Sequence, residues 1–191
     1  LLLAIALMIG SAHADFLFTT DAGFGISATN YNKYDILSTA GSGSYTKVFT
    51  SLSSILPQET NIDSLQTISS NTVIFSLGED AVVQGTLFSK KDLIAWNGTT
   101  ATLFWSGAID GGLPAEVNLD AAYIVSLSPK EISFSLGEAT QLVIASVTTQ
   151  VSKSDLIHWK NGVGFTGKDF DAAARSIPAE DAAQEIFVRA F

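Results

Sequence analysis

Short apolar segments follow one another along the chain, separated by glycine, proline, asparagine or serine. In the middle of the sequence they are Thr72–Leu77, Asp92–Trp96, Ala101–Trp105 and Leu119–Val125. They are rich in Val, Ile, Phe, Trp and Thr, which favour β-strands. Asn97-Gly98 between two of them predicts a hairpin with a type I′ turn. Helical periodicity is confined to Phe170–Arg175 and Glu180–Phe187, so the pattern predicts an all-β protein.

The pattern repeats along the chain, at a spacing of 57 residues between the first two copies and of 63 residues from Asp92 to Asp155, because the third copy carries insertions. The spacing of 57 residues separates Phe18 from Phe75, and it also separates Pro57 from Pro114. Self-similarity at a fixed spacing indicates a repeat architecture. We therefore expect three copies, which span residues 16–74, 75–131 and 132–191.

Each copy is predicted to form four short strands, and three such units can be arranged in three ways. One is a propeller-like array, in which each unit is a four-stranded blade. The others are a β-trefoil and a three-sheet β-prism, both with pseudo-threefold symmetry. The length of the unit favours blades. Two chains could complete one ring of six blades, so a homo-oligomer is a further expectation.

The beginning of the chain has the pattern of a secretory signal. Residues 1–14 read LLLAIALMIGSAHA, an apolar run without charge. Ala12 and Ala14 place small residues at positions −3 and −1 before Asp15, as at a signal-peptidase cleavage site. The run is shorter than the roughly 20 residues that span a bilayer. We expect a signal peptide, truncated at its start, then a single domain at residues 15–191.

This interpretation predicts a secreted, periplasmic or cell-surface protein with no membrane span after removal of the signal. The composition restricts the class of ligand. The chain has 10 basic and 19 acidic residues, a formal net charge of −9. Nucleic-acid binding needs clustered Lys and Arg, so the balance argues against it. The chain has no cysteine, which excludes disulfides and Cys-ligated metals.

Acidic residues recur at matching positions of the copies. Asp35, Asp92 and Asp155 each begin a strand, and Asp63 and Asp120 lie at the start of the last strand of their copies. A lysine two residues before each of the first three lies on the same face of the strand. We therefore expect each lysine to neutralise its aspartate.

Two interpretations of these carboxylates are open. In one, they gather to bind a polyhydroxylated ligand or a cation, for which calcium is the candidate. In the other, each closes a turn by accepting backbone N–H groups. Triplication favours the turn, because catalysis needs groups in distinct roles. No D-x-D-x-D pattern recurs, so we predict no metal site and no cofactor, with calcium as the alternative.

The tryptophans are the other candidate binding residues. Trp96 and Trp159 occupy the same position after the repeated aspartate, and Trp105 ends the following strand. Exposed indoles can stack on sugars, whereas aromatic residues at matching strand positions are usually core. The predicted core residues are Phe75, Phe134, Phe104 and Phe165, and for Trp96 and Trp159 both interpretations stay open.

Signatures of catalysis are weak. His158 lies near Asp155 and several serines, but the chain has no G-x-S-x-G nucleophile elbow. His158 also stands where the middle copy has Ala95. Paired carboxylates could hydrolyse glycosides at suitable separation. We expect the protein to catalyse no reaction, and the alternative is a secreted glycosidase or esterase.

Several landmarks together resemble a repeat of secreted bacterial proteins. They are Phe75-Ser76, Asp92-Leu93-Ile94, Leu103-Phe104-Trp105-Ser106-Gly107, Gly112-Leu113 and Leu119-Asp120-Ala121. The resemblance covers nearly the whole chain after residue 14. It implies propeller-type β-modules of exported or surface-displayed proteins, whose biochemical role is generally unassigned.

We therefore expect an exported, non-catalytic binding or structural β-repeat module of a bacterium, with a protein or glycan ligand. The first alternative is a carbohydrate-binding module that uses exposed tryptophans and the neighbouring carboxylates.

Overall fold

The computed structural model describes residues 16–19, 24–26, 29–32, 34–39 and 45–171. The predicted signal peptide, residues 1–14, lies outside this part of the chain, as do Glu180–Phe187 and most of Phe170–Arg175. Within it the protein is all-β, with seventeen strands and one short helix. No helix in the described ranges is long and apolar enough to cross a bilayer.

The N-terminal part forms a three-stranded sheet, sheet I, and a small hairpin. Its elements are β1 (Phe16–Phe18), β2 (Phe24–Ile26), β3 (Thr29–Tyr31), β4 (Ile36–Thr39), β5 (Thr46–Val48) and the helix α1 (Thr50–Ser53). Sheet I has the order β1-β4-β5, and β2 pairs with β3. All of these pairings are antiparallel.

The middle of the chain forms a four-stranded sheet, sheet II. Its elements are β6 (Ile62–Ser69), β7 (Thr72–Leu77), β8 (Ala81–Val83), β9 (Thr86–Phe88), β10 (Leu93–Trp96) and β11 (Ala101–Trp105). The order is β6-β7-β10-β11, and β8 and β9 form a separate hairpin between β7 and β10 in sequence.

Sheet III follows with the same order of elements. They are β12 (Leu119–Leu127), β13 (Lys130–Leu136), β14 (Thr140–Ile144), β15 (Val147–Val151), β16 (Leu156–Lys160) and β17 (Gly164–Phe170). The order is β12-β13-β16-β17, with β14–β15 as the separate hairpin.

The four strands predicted for the middle copy are present, but the fourth belongs to a different sheet. β12 pairs with β13 of the next copy. The prediction that each copy forms one blade is therefore wrong, because the first two copies each give their last strand to the sheet of the following copy. Two residues link β12 to β13, whereas residues 106–118 separate it from β11. Tight hairpins need short connections, which explains the choice of partner.

The hairpin turns differ from expectation. β10 and β11 pair around Asn97-Gly98 as predicted. Of these two residues only Gly98 has positive φ, at 98°, so the type I′ assignment is wrong. The β14–β15 hairpin, which the pattern did not predict, has positive φ at both Ala145 and Ser146.

Sheet II contributes to two hydrophobic clusters. Val73 and Phe75 of β7 join the cluster that contains Ile36 of sheet I. Ile74 between them joins the cluster of Phe134 in sheet III. Successive strand residues point to opposite faces, so sheet II is packed between the other two. Phe75 and Phe134 are both 0% exposed, which confirms them as core residues, whereas Phe104 and Phe165 are half-buried and pack against the Phe134 cluster.

Sheets II and III are also joined at their first strands. β6 and β12 lie close together, and the Gln66 amide bridges them. Its Oε1 accepts the Ile124 N–H at 2.6 Å, and its Nε2 donates to the Ile124 carbonyl at 3.4 Å. In the described part of the chain no sheet closes on itself. The propeller, trefoil and prism arrangements stay predictions.

Candidate binding site

The repeated aspartates close three turns with the same geometry. Each carboxylate accepts the backbone N–H of the residue three positions earlier, in Asn32, Ser89 and Ser152 at 2.7, 2.9 and 2.7 Å. Each aspartate N–H donates back to the carbonyl of that residue. Asp35, Asp92 and Asp155 are only 5, 8 and 1% exposed. This is the turn-closing role that the sequence allowed.

The remaining partners of these carboxylates differ among the copies. Lys47 lies 2.7 Å from Asp35, and Lys168 lies 2.8 Å from Asp155. In both pairs the lysine comes from the adjacent strand. Asp92 instead accepts the Gly107 N–H at 3.1 Å. The expectation that the lysine two residues earlier is the partner is therefore wrong for Asp92.

The two remaining aspartates also have partners within the fold. The Asp63 carboxylate accepts a hydrogen bond from the Asn118 side-chain amide at 2.8 Å, and this bond links β6 to the residue that precedes β12. Asp120 is half-buried and is bonded as well. Across the described ranges, no group of three or more His, Asp or Glu side chains is placed to hold a metal ion. A ligand contact by any of the five aspartates stays a prediction.

The three tryptophans are buried. Trp96, Trp105 and Trp159 are 2, 0 and 4% exposed, so the expectation of exposed indole platforms is wrong. Trp159 Nε1 donates to the Asp110 carbonyl at 3.2 Å. The Nε1 atoms of Trp96 and Trp105 have no acceptor among the described residues. These rings pack between sheets, which is the core interpretation of the matching strand positions.

A polar cluster surrounds His158 on sheet III. The carboxylates next to its ring are Asp169, 3.2 Å from Nδ1, and Glu131, 3.5 Å from Nε2. Ser133 donates to the same Asp169 oxygen and lies 3.5 Å from Nδ1. In a Ser-His-Asp hydrolase the serine and the carboxylate face opposite ring nitrogens. Here Ser133 and Asp169 both face Nδ1, and Ser133 donates its proton to Asp169 and not to the ring. Glu131 is the carboxylate that faces Nε2, and it is paired with Lys160.

Glu131 has a second partner in this cluster. Lys160 Nζ lies 2.6 Å from its carboxylate. The hydrogen bond from Lys160 holds the pKa of Glu131 below its ordinary value of 4.5, partly opposed by desolvation. The charged side chains of the cluster are therefore bonded to one another.

An open cleft of about 450 Å³ lies between sheets I and II, and we call it the Trp96 cleft. It is lined by residues of β4, β5, β6 and β10, by the start of α1, and by the turns that follow β6 and β10. The lining residues are Ser38, Val48, Phe49, Thr50, Ser51, Thr67, Ser70, Asn71, Trp96 and Gly98. Its volume lies within the roughly 300–1,000 Å³ of small-molecule sites.

The cleft combines aromatic surface with hydroxyl and amide groups. Five of its residues carry a hydroxyl and one a carboxamide, and no charged side chain is among the described residues that line it. Within the described part of the chain, these six side chains make no hydrogen bond. Of the candidate binding residues predicted from the sequence, Trp96 is the one that lines this cleft. The hydroxyl residues were missed because they come from separate segments that only the stacking of the sheets brings together.

A second groove, of about 750 Å³, lies along the β14–β15 hairpin. Its sides include Val143 and Val163, which are 61 and 65% exposed, and Gly111 and Gly112. Thr166 there is already bonded to the His158 carbonyl, at 3.4 Å. This groove offers fewer unbonded side-chain groups than the Trp96 cleft.

Comparison of the chain with protein-family models, with curated proteins and with solved structures found no match. Its function therefore has to be inferred from its own residues.

Proposed function

We propose that the protein is an exported, non-catalytic binding module of stacked, blade-like β-sheets, whose ligand occupies the Trp96 cleft. The observation that carries the proposal is the set of unbonded hydroxyl and amide groups that line the cleft together with the half-buried ring of Phe49. Sites for small molecules combine apolar walls with a few convergent polar groups. A purely structural contact between sheets would fill this space with packed side chains.

A non-catalytic role is supported by how the candidate reactive groups are used. The repeated aspartates are bonded to turn N–H groups, and His158 lies between two carboxylates. A nucleophile and its base need free, aligned partners. The alternative of a secreted glycosidase or esterase has no comparable support in this geometry.

The blade-like array is supported by the recurring order of strands in sheets II and III. Export is supported by the pattern of residues 1–14. A protein that works outside the cell without disulfides depends on apolar packing between sheets for its stability.

Deletion of residues 132–191 tests the array. It removes most of β13 and all of β16, so β12 loses its partner and Trp105 loses its contacts with Phe134 and Trp159. We expect the remaining chain to be insoluble or unfolded, because repeat units need neighbours to bury their faces. A soluble fragment with a cooperative unfolding transition would contradict the array.

Fragment mapping tests the cleft. We expect small polar fragments to shift the backbone amide signals of Phe49, Thr67 and Asn71 in heteronuclear NMR spectra. Thr67→Trp would fill the cleft from the exposed face of β6 and remove these shifts. Thr86→Trp is the matched control, because Thr86 is exposed and does not line the cleft, and it should leave these shifts unchanged. Fragments that shift only other regions would overturn the assignment of the cleft.

A further inference from the structure

The chemistry of the Trp96 cleft specifies the class of ligand more narrowly. We infer that the cleft binds a neutral saccharide, whose hydroxyl groups pair with the cleft's hydroxyl and amide side chains. The inference rests on the proposed binding function and adds the ligand class to it. It is carried by three properties of the lining: its neutrality, its dual donor–acceptor groups, and its aromatic surface.

Neutrality excludes charged ligands of either sign. No described residue of the lining is charged, so the cleft has no ion to replace the lost hydration of a phosphate, carboxylate or ammonium group. The net charge of −9 further repels anions at long range. A neutral ligand meets neither penalty.

The hydrogen-bonding groups match a polyol. Each hydroxyl both donates and accepts, and a carboxamide supplies two donors and an acceptor. Ser38 reaches the cleft from sheet I, whereas Thr67 and Asn71 reach it from sheet II. The ring hydroxyls of a sugar have the same dual capacity, so they can pair on both walls. A peptide would more often be recognised by backbone pairing along a strand edge.

The aromatic surface suits the apolar face of a sugar ring. Phe49 lines the cleft and is half-buried, so its ring is the aromatic surface that a ligand can contact, whereas Trp96 is only 2% exposed and closes the cleft behind it. The negative face of an aromatic ring attracts the polarised C–H groups of such a ligand. Phe49 also has a left-handed backbone, at φ 50°. Bulky residues rarely adopt this conformation, and strained positions of this kind cluster at functional sites.

Titration with defined oligosaccharides tests the inference. The probes are maltotriose, cellotriose and chitotriose as neutral ligands, and trigalacturonate as an anionic ligand of similar size. Binding is measured by calorimetry and by backbone amide shifts. We expect at least one neutral trisaccharide to bind and to shift Phe49, Thr67 and Asn71, and trigalacturonate to bind at least tenfold more weakly.

Two variants locate the site. Thr67→Asp places a charge at an exposed position of the cleft and should weaken saccharide binding at least tenfold. Thr86→Asp makes the same change on the exposed β9 hairpin and should have no effect. Equal thermal unfolding midpoints of both variants and the original protein would show that the fold is retained. Asn71→Ala, a smaller change in the turn that follows β6, should weaken binding as well.

The outcomes separate the ligand class from the site. Preferential binding of trigalacturonate in the cleft would overturn the inference that the ligand is neutral. The proposed binding function would still stand. Absence of binding by every trisaccharide would overturn the ligand class, and the fragment mapping described above would then decide the site. Neutral-saccharide binding that Thr67→Asp and Thr86→Asp affect equally would also overturn the inference, because the ligand would then bind elsewhere.

Discussion

The ion pair between Asp155 and Lys168 offers a test of what the buried aspartates contribute to stability. Asp155 is 1% exposed, and its carboxylate receives both the Ser152 N–H at 2.7 Å and the Lys168 ammonium at 2.8 Å. Asp155→Ala removes the acceptor for both donors. Asp155→Asn keeps an acceptor oxygen for Ser152 and removes only the charge.

The expected loss follows from burial of both partners. The Lys168 side chain is 15% exposed, so removal of Asp155 leaves a largely buried ammonium. Breaking a buried pair by removing one partner costs about 3–5 kcal/mol. Asp171 lies 3.7 Å from Lys168 and is 42% exposed, so it offsets a small part of this loss. We expect about 3–4 kcal/mol for Asp155→Ala and about 2 kcal/mol for Asp155→Asn, which keeps the turn's hydrogen bond.

Equilibrium unfolding in urea measures these losses. At a slope of about 2 kcal/mol per molar, a loss of 3 kcal/mol lowers the urea midpoint by about 1.5 M. Lys153→Met is the matched control, because Lys153 is exposed and stands two residues before Asp155. We expect it to stay within about 0.5 kcal/mol of the original protein.

A double-mutant cycle isolates the pair. Lys168→Met should be destabilising in the original protein and neutral or stabilising beside Asp155→Asn, with a coupling energy of about 1–3 kcal/mol. Additive effects, within about 0.5 kcal/mol, would refute the reasoning, as would an unchanged midpoint for Asp155→Asn. The turn would then depend on its backbone bonds alone.

Three other predictions concern the ion pairs, the contact between sheets and the signal. Because the folded-state pKa of Glu131 lies below 4.5, its bond with Lys160 stabilises the fold above that pH and is lost as the pH falls through the lowered pKa. Between pH 7 and 3, the urea midpoint of Glu131→Gln should fall less steeply than that of the original protein. Parallel curves of midpoint against pH for the two proteins would contradict this. Gln66→Ala leaves the Ile124 backbone groups facing β6 without their partner and should cost about 1–3 kcal/mol in urea unfolding, whereas a loss below about 0.5 kcal/mol would mean that water replaces the amide. With a basic segment added in front, residues 1–14 should be cleaved from an exported reporter and Ala14→Leu should block cleavage; mass spectrometry of the product decides, and unchanged processing would argue against the predicted site.

The strands could be predicted from sequence because their composition is strongly β-forming. Thr72–Leu77 and Ala101–Trp105 are strands with the predicted bounds. The pairing partner of each strand was harder to predict, because it depends on the length of the connection between strands. The two residues between β12 and β13 were a usable signal for their pairing. Ala145 and Ser146 gave no such signal for their hairpin, because neither is a residue that favours positive φ.

The site was less predictable than the strands. The repetition of Asp35, Asp92 and Asp155 made them prominent, and a turn-closing role was one stated interpretation. The burial of Trp96 depends on how sheet I packs against sheet II, which no local pattern encodes. Thr67 and Ser38 belong to different sheets and are ordinary surface residues in sequence. Only the stacked arrangement brings them to one cleft.

The offset between sequence copy and sheet affects how the gene could be recombined. Two long connections, residues 49–61 with the helix α1 and residues 106–118, each end immediately before the first strand of a four-stranded sheet. A crossover in these connections would transfer a whole sheet with every strand still next to its partner. A crossover at the copy boundary, near residue 131, would split the hairpin of β12 and β13. Chimeras joined at these connections should therefore be soluble far more often than chimeras joined at the boundaries of the sequence repeat.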